Sequence, residues 1–264
     1  MLETDTSLAL THSLDARVTL GERFLAALLG GCALLLIAGG FNAPPFLNAG
    51  LYLALLFALC GVAILYFALY YLRRPAGVRN ENIWRDSLTN RGLWGYTLGT
   101  AITGFYVLLY WYPEYLNHVT AFFHPLSFTL RGTPADSWFL YGTLYTLAVL
   151  VMGARAIFKY RHSRYQIFRT MVIMISQLFL GFLIPAFMKL MHQPEFYFGY
   201  FWPLKPEYLF PGTVSQLMNH PGGLGFFLVL WGLTLTIIAT PVLTYFFGKR
   251  WYCSWVCGCG GLAN

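Results

Sequence analysis

The chain has 264 residues, of which 58% are hydrophobic and only 10% are charged, and its formal net charge is +7. This apolar content exceeds what a soluble core can bury, which excludes a soluble globular domain and indicates an integral membrane protein in a lipid bilayer. The basic residues are spread over several connecting segments, so the positive charge does not indicate nucleic-acid binding.

Six apolar segments are long enough to cross a membrane, because a hydrocarbon core about 30 Å thick needs about 20 residues at helical rise. The sequence therefore predicts an all-α fold with a cytoplasmic segment at 1–21, a six-helix transmembrane domain at 22–248 and a Cys-rich segment at 249–264. The predicted spans are residues 22–40, 50–72, 93–113, 138–159, 167–190 and 223–247.

The positions of Lys and Arg predict the orientation of the spans. Of the 17 basic residues, only Arg131, Lys189 and Lys205 fall in the first, third and fifth connections. Since cytoplasmic loops carry the excess of Lys and Arg, both termini are predicted to face the cytoplasm, as in a multi-pass protein of the bacterial inner membrane. The same rule places the long aromatic segment 192–222 on the outer side, on or dipping into the membrane interface.

Several features within and beside the spans carry local predictions. Gly95, Gly99 and Gly104 form a stripe of small residues that favours close helix packing. Pro185 and Pro241 lie inside the fifth and sixth spans, where they predict kinks or freed carbonyl groups. Aromatic runs such as "FYFGYFWP" are typical of interfacial belts.

Three of the five cysteines lie in the tail "RWYCSWVCGCGGLAN", where Cys253, Cys257 and Cys259 follow the pattern C-x3-C-x-C among glycines. Thiolates are ligands of iron–sulfur clusters and of zinc, and glycine lets the backbone wrap closely around an inorganic core. The reducing cytoplasm argues against a disulfide between Cys253 and Cys257. Zinc binding, palmitoylation and incidental thiols remain open alternatives, since only three ligands are present.

The stretch "GKRWYCSWVCGCGGLAN" after a last apolar helix resembles the membrane polyferredoxin family, which includes NapH-like and NosR-like proteins. The usual family form is closer to C-G-W-x-C-P, whereas Ser254 and Gly258 stand here and Cys259 is an extra thiol. The resemblance implies that Cys253, Cys257 and Cys259 bind a 4Fe–4S cluster whose fourth ligand lies elsewhere. Because such proteins continue into further ferredoxin-like motifs, we expect this sequence to be the membrane half of a longer protein.

If the cluster is real, the chain needs a redox partner, and a quinone is the lipid-soluble candidate. Quinol oxidation releases protons, so such a site needs His or carboxylate groups in an aromatic pocket near the membrane interface. A solvated outer loop would contain the same residue types. The candidate residues are His118, His192, His220, Glu114 and Glu195, with His124 and Glu207 nearby in the sequence.

The sequence thus predicts a membrane electron-transfer protein that links the quinone pool, or a redox protein partner, to a cytoplasmic iron–sulfur chain. A haem with two His ligands is not expected, since none of the six His lies inside a span. Substrate transport is disfavoured because the spans offer only Thr, Ser and Gln177 at depth. The alternative prediction is a non-catalytic scaffold subunit of a larger respiratory or photosynthetic membrane complex.

Overall fold

A computed structural model describes residues 19–41, 48–73, 76, 93–200, 205–219 and 224–262. All regular structure in these ranges is helical. Two kinds of short segment join the α-helices. They are 3-10 turns at Pro113–Leu116 and Pro206–Leu209, and π-helical segments at Phe179–Leu183 and Leu235–Ala239. The α-helices are α1 Leu20–Gly40, α2 Ala49–Leu72, α3 Leu93–Trp111, α4 Asn117–Ala121, α5 His124–Arg131, α6 Ser137–Lys159, α7 Arg164–Leu178, α8 Ile184–Leu190, α9 Pro211–Met218, α10 Leu224–Thr234, α11 Thr240–Phe247, α12 Trp251–Trp255 and α13 Gly258–Leu262.

Five helical stretches in the described ranges are long and apolar enough to cross a membrane, and they confirm the predicted all-helical, multi-pass membrane protein. α3 coincides with the third predicted span but is not among the five. Its glycines, threonines and tyrosines lower its mean hydropathy. The five are Leu20–Gly40, Ala49–Leu72, Ser137–Lys159, Arg164–Leu190 and Leu224–Phe247.

The two prolines inside spans coincide with local widening of the helix. Pro185 and Pro241 each lie two residues after the end of a π-helical segment. A proline cannot donate a backbone N–H to the preceding turn, which favours such widening. Beside the second segment, the Thr240 hydroxyl donates to the Leu235 carbonyl over 2.7 Å. The Leu235 carbonyl also accepts the Thr240 backbone N–H, so Thr240 makes two hydrogen bonds to one carbonyl within the π-helical segment.

Polar side chains define where three of the long helices begin. Thr19 and Glu22 form a reciprocal capping box at the start of α1. The Asn48 side chain accepts the Leu51 N–H at the start of α2, and Asp136 accepts the Phe139 N–H at the start of α6. Such caps satisfy N–H groups that have no partner inside the helix, so they set the helix starts.

The chain divides into two compact units, and α6 contributes residues to both of them. The first unit comprises Met1–Pro125, Ala135–Tyr141 and Ala154–Gln166. In it, Tyr66, Tyr70 and Tyr71 pack with Leu and Phe side chains of α1 and α6. Buried Arg155 donates from Nε to the Tyr71 hydroxyl over 3.1 Å, so the basic end of α6 lies beside the end of α2.

The second unit comprises Leu126–Pro134, Gly142–Gly153 and Ile167–Asn264, and it contains the cysteine-rich end. Its apolar core gathers Phe196, Tyr208, Leu217 and Leu228. The Phe196 and Tyr208 rings stack with their centroids 4.5 Å apart. The segment predicted as an outer loop is therefore, where it is described, a packed element that covers the beginning of α10.

Candidate functional site around the terminal cysteines

A glycine turn directs the terminal cysteines away from the last spanning helix. Gly248 ends α11 with φ of +82°, a conformation that residues with a Cβ rarely adopt, and its N–H donates to the Thr244 carbonyl over 2.9 Å. The short helices α12 and α13 follow. We call residues 249–262 the tail. The turn at Gly248 lets the tail pack against other helices of its own unit.

The tail lies against the middle of two apolar helices because Gly258 has no side chain. A Cβ at Gly258 would lie 2.7 Å from Val149 Cγ2, 2.8 Å from Tyr145 Oη and 3.1 Å from Gln177 Oε1. Val149 and Tyr145 lie within α6, and Gln177 lies at the end of α7, midway along the candidate span Arg164–Leu190. The sequence predicted a cytoplasmic tail after the last span, and the structure adds that this tail packs on the spanning helices themselves.

A segment from the predicted outer side meets the same tail. Gly199 lies against Val256, with 3.8 Å between its would-be Cβ and the valine Cγ1. A cavity of about 30 Å³ lies at this meeting point, and its lining includes Tyr145, Gln177, Tyr200 and Cys257. This volume suits one or two water molecules. Segments assigned to opposite membrane faces by the distribution of Lys and Arg are thus in contact beside α6 and α7.

Cys257 and Cys259 are neighbours in space as well as in sequence. Only Gly258 separates them in the chain, and the Gly260 N–H donates to the Cys257 carbonyl over 3.1 Å. Burial, reinforced by the Cys259 thiol, raises the pKa of the Cys257 side chain. Cys259 is exposed, and its Sγ lies 3.4 Å from the Tyr145 hydroxyl. All three tail cysteines are free thiols, and Cys253 is exposed.

These thiols do not by themselves form a complete metal site. Among the described residues, no group of three or more His, Cys, Asp or Glu side chains is placed to hold a metal ion. A 4Fe–4S cluster usually takes four protein ligands. In the described residues, only Cys257 and Cys259 are close neighbours, so the four ligands of a cluster are not brought together. The binding of iron by Cys253, Cys257 and Cys259 stays a prediction.

Aromatic side chains surround the thiols, among them Trp251, Tyr252 and Trp255 of the tail itself. Trp251 is buried, and the Trp255 ring packs edge-on to Phe168 and Phe247 at centroid distances of 6.0 and 5.9 Å. Burial raises the pKa of the Tyr252 hydroxyl above its ordinary value. The sequence did not identify Tyr145 and Tyr200 as part of this site, because each lies in a run that suits a span or an interfacial belt equally well.

The residues predicted for a quinone site are distributed over both units, and His118 and Glu195 have local partners. In the first unit, His118 Nε2 lies 3.2 Å from the Gly39 carbonyl, and Glu114 is exposed. In the second, His192 is exposed with a positive φ, and Glu195 pairs with Arg131. Their assignment to a quinone stays a prediction. His220 lies outside the described residues, His124 accepts the Ala135 N–H, and Glu207 is exposed.

Glu195→Gln is expected to lower stability, because the carboxylate holds a buried cation. Arg131 Nη2 lies 3.1 Å and Lys189 Nζ 3.7 Å from Glu195 Oε1, and the Arg131 side chain is only 5% exposed. Glu195 itself is 35% exposed, so we expect a loss of about 1 kcal/mol. Thermal unfolding in detergent measures it. Glu114→Gln, at an exposed carboxylate, is the control, and equal stability of the two variants would contradict the structural role of Glu195.

Comparison of the chain with models of protein families, with curated proteins and with solved structures gave no match. The resemblance to membrane polyferredoxins therefore depends on the residues of the tail.

Proposed function

We propose that this chain is a membrane electron-transfer protein that links the quinone pool, or a membrane redox partner, to an iron–sulfur chain on the cytoplasmic side. One observation carries the proposal: two neighbouring thiols, Cys257 and Cys259, lie on a glycine-rich backbone packed against α6 and α7. Thiolates are the ligands through which proteins hold iron–sulfur clusters. The surrounding aromatic side chains limit the access of water to the thiols, and solvent access tunes the reduction potential of an iron–sulfur cluster.

In this proposal Cys253, Cys257 and Cys259 contribute thiolates to a 4Fe–4S cluster, a one-electron carrier when bound. The remaining ligand comes from a partner or from residues outside the described ranges. This chain's own contribution is then to position the thiols. Gly258 lets the backbone approach Val149 closely, and the Tyr145 hydroxyl lies within hydrogen-bond distance of Cys259 Sγ.

We further propose six spans, with α3 as the third, and both termini on the cytoplasmic side of a bacterial inner membrane. The excess of Lys and Arg on alternate connections supports this orientation. A contact in the first unit agrees with it. Arg155 and Arg161, near the carboxyl end of α6, both donate to Tyr71 near the carboxyl end of α2, which supports placing these two basic helix ends on one membrane face.

Iron analysis tests the proposal. We expect the anaerobically purified chain, isolated with its membrane partners, to contain iron and acid-labile sulfide, with a broad visible absorption that dithionite bleaches. Cys257→Ser should remove most of the iron and the absorption. The control is Cys32→Ser, which makes the same change at a thiol inside α1. Wild-type protein without iron, or iron unchanged in Cys257→Ser, would contradict the proposal.

A scaffold role is the second candidate, and an exposed face of α3 favours it. Gly99, Thr103 and Val107 line a shallow groove on this helix. A Cβ at Gly99 would meet nothing within 4 Å, and Val107 is 39% exposed. Small residues on a membrane helix allow the close approach of another helix, here one from a partner subunit. A scaffold would copurify with that subunit, contain no iron and lose the subunit in Gly99→Leu.

A further inference from the structure

Polar side chains gather in the middle of two apolar helices of the second unit. Ser176 and Gln177 lie midway along the candidate span Arg164–Leu190, and Tyr145 lies inside α6. Gln177 Nε2 donates to the Thr146 hydroxyl over 3.4 Å. Polar side chains are costly at this depth of a membrane, and those that occur there usually face the protein interior or a water-filled cavity. The space beside these residues shows which of the two applies.

Ser176, Gln177 and Tyr145 line the cavity of about 30 Å³ beside the tail. This volume holds one or two water molecules and no larger solute. Among the described residues that line it there is no Asp, Glu, Lys, Arg or His, so the cavity offers no charged side chain to an ion. Its polar lining includes hydroxyl groups and one amide, each able to donate and to accept a hydrogen bond. They belong to Tyr145, Ser176, Gln177, Tyr197, Tyr200 and Tyr252.

Backbone that is not helical reaches this cavity from the connection after α8. Residues 196–200 form no helix, and Gly199 lines the cavity together with Gln177. Within a bilayer, such backbone is found only where it is buried in protein or lines a water-filled space. Tyr252 and Gly258 of the tail line the cavity too. The cavity thus lies between two segments that the distribution of Lys and Arg assigns to opposite membrane faces.

The helix that carries Gln177 is widened beside the cavity. The π-helical segment Phe179–Leu183 contributes Leu180 and Gly181 to the lining. A Cβ at Gly181 would lie 2.9 Å from Gln177 Nε2, so the glycine leaves room for the amide. π-helical turns inside α-helices occur frequently at functional sites, and this one lies where a polar side chain meets the cavity.

We propose that the cavity holds water and forms the midpoint of a path that carries protons across the membrane. The water molecules carry the proton: each accepts one proton from one neighbour and passes another to the next, so no group is oxidised or reduced. The lining hydroxyls and the amide hold the water in place. Such a path needs hydrogen-bonding groups in succession but no pore wide enough for a molecule. The inference goes beyond the proposed function, because it needs neither iron nor a quinone.

Radiolytic labelling of the wild-type chain in lipid nanodiscs tests for the water. An X-ray pulse turns water into hydroxyl radicals, which oxidise the side chains beside it, and peptide mass spectrometry locates the oxidised residues. We expect Tyr145 to be oxidised although it lies inside α6. Tyr66, which packs with Leu and Phe side chains in the first unit, is the matched control and should be protected. Gln177→Leu should lower the oxidation of Tyr145, because an apolar side chain then faces the cavity.

Proton flux into liposomes tests the path. The chain is reconstituted with a pH-sensitive dye inside the vesicles, and valinomycin sets a potassium diffusion potential. The internal pH should change faster than in vesicles without protein. Gln177→Leu and Ser176→Ala should each slow the protein-dependent flux about fivefold, the effect of losing one hydrogen bond. The control is Thr236→Val, which removes a hydroxyl that donates to the Gly232 carbonyl of its own helix over 2.8 Å. Its flux should equal that of the wild type.

Three outcomes would overturn the inference: wild-type flux no faster than in vesicles without protein, equal protection of Tyr145 and Tyr66, or equal losses of flux in Thr236→Val and Ser176→Ala. Should Gln177→Leu not fold, the wild-type labelling and Ser176→Ala still decide. Iron measured in the same preparations keeps the two proposals apart. Flux in protein without iron supports the path and overturns the proposed function, whereas iron in protein without flux does the reverse.

Discussion

Gly225→Ala is expected to be among the most destabilising additions of a single methyl group to this chain. The Leu217 carbonyl lies where the new Cβ would be, well inside van der Waals contact, and a backbone group cannot rotate away as a side chain can. α9 and α10 would have to separate, which opens the core that contains Leu217 and Leu228. Overpacking of this kind costs about 3 kcal/mol, so we expect a thermal transition in detergent lower by several degrees.

Gly232→Ala is the matched control, because it makes the same change in the same helix. A Cβ at Gly232 would meet nothing within 4 Å. Alanine is also the better helix former by about 1 kcal/mol in a helix interior. Gly232→Ala should therefore leave the transition unchanged or raise it slightly. Similar transitions for the two variants would mean that α9 does not pack on α10 through Gly225.

The helices of this protein could be predicted because their signals are local. Apolar length predicted the spans, and Pro185 and Pro241, where kinks or freed carbonyl groups were predicted, lie just after two π-helical segments. The capping residues Thr19, Asn48 and Asp136 stand directly before the helices they start. α3 is the exception among the predicted spans. Its many glycines and threonines suit helix packing in lipid but reduce the hydropathy by which a span is recognised.

The surroundings of the cysteines could not be predicted in the same way, since they depend on contacts between distant segments. The distribution of Lys and Arg assigns a connection to one side, but it gives no information about how deeply that connection folds back. Tyr145 and Tyr200 are 55 positions apart and join one cavity with Cys257. Tyr145 within the apolar α6 was an available signal, because a hydroxyl in a membrane-spanning helix needs a hydrogen-bond partner.

The glycines of the tail, which the sequence singled out, have close neighbours within the protein itself. We expected them to let the backbone wrap around an inorganic core. In the structure they remove steric conflict within the protein: Gly258 makes room for Val149 and Tyr145, and Gly260 makes room for the Cys253 carbonyl. A glycine pattern around thiols therefore does not by itself distinguish a cluster loop from a tightly packed turn. Substitution at Gly260 separates the two interpretations.

Gly260→Ala is expected to unfold the tail while leaving the spanning helices intact. The Cys253 carbonyl occupies the position of the new Cβ, so α12 and α13 cannot keep their present contact. A cost of about 2 kcal/mol corresponds to a change of roughly thirtyfold in the docking equilibrium. Half-buried Cys257 should then react with a maleimide at least about tenfold faster, and trypsin should cut sooner after Lys249 and Arg250. Peptide mass spectrometry measures both at single sites.

Gly199→Ala is the control for this experiment, because it adds a methyl group against the same tail where there is room. Its Cβ would lie at an ordinary 3.8 Å from Val256 Cγ1, so Cys257 should react at the wild-type rate. If Gly260→Ala left the reactivity of Cys257 unchanged, the tail would not depend on close packing at this glycine. If Gly199→Ala accelerated the reaction of Cys257 equally, the effect of Gly260→Ala could not be assigned to close packing at Gly260.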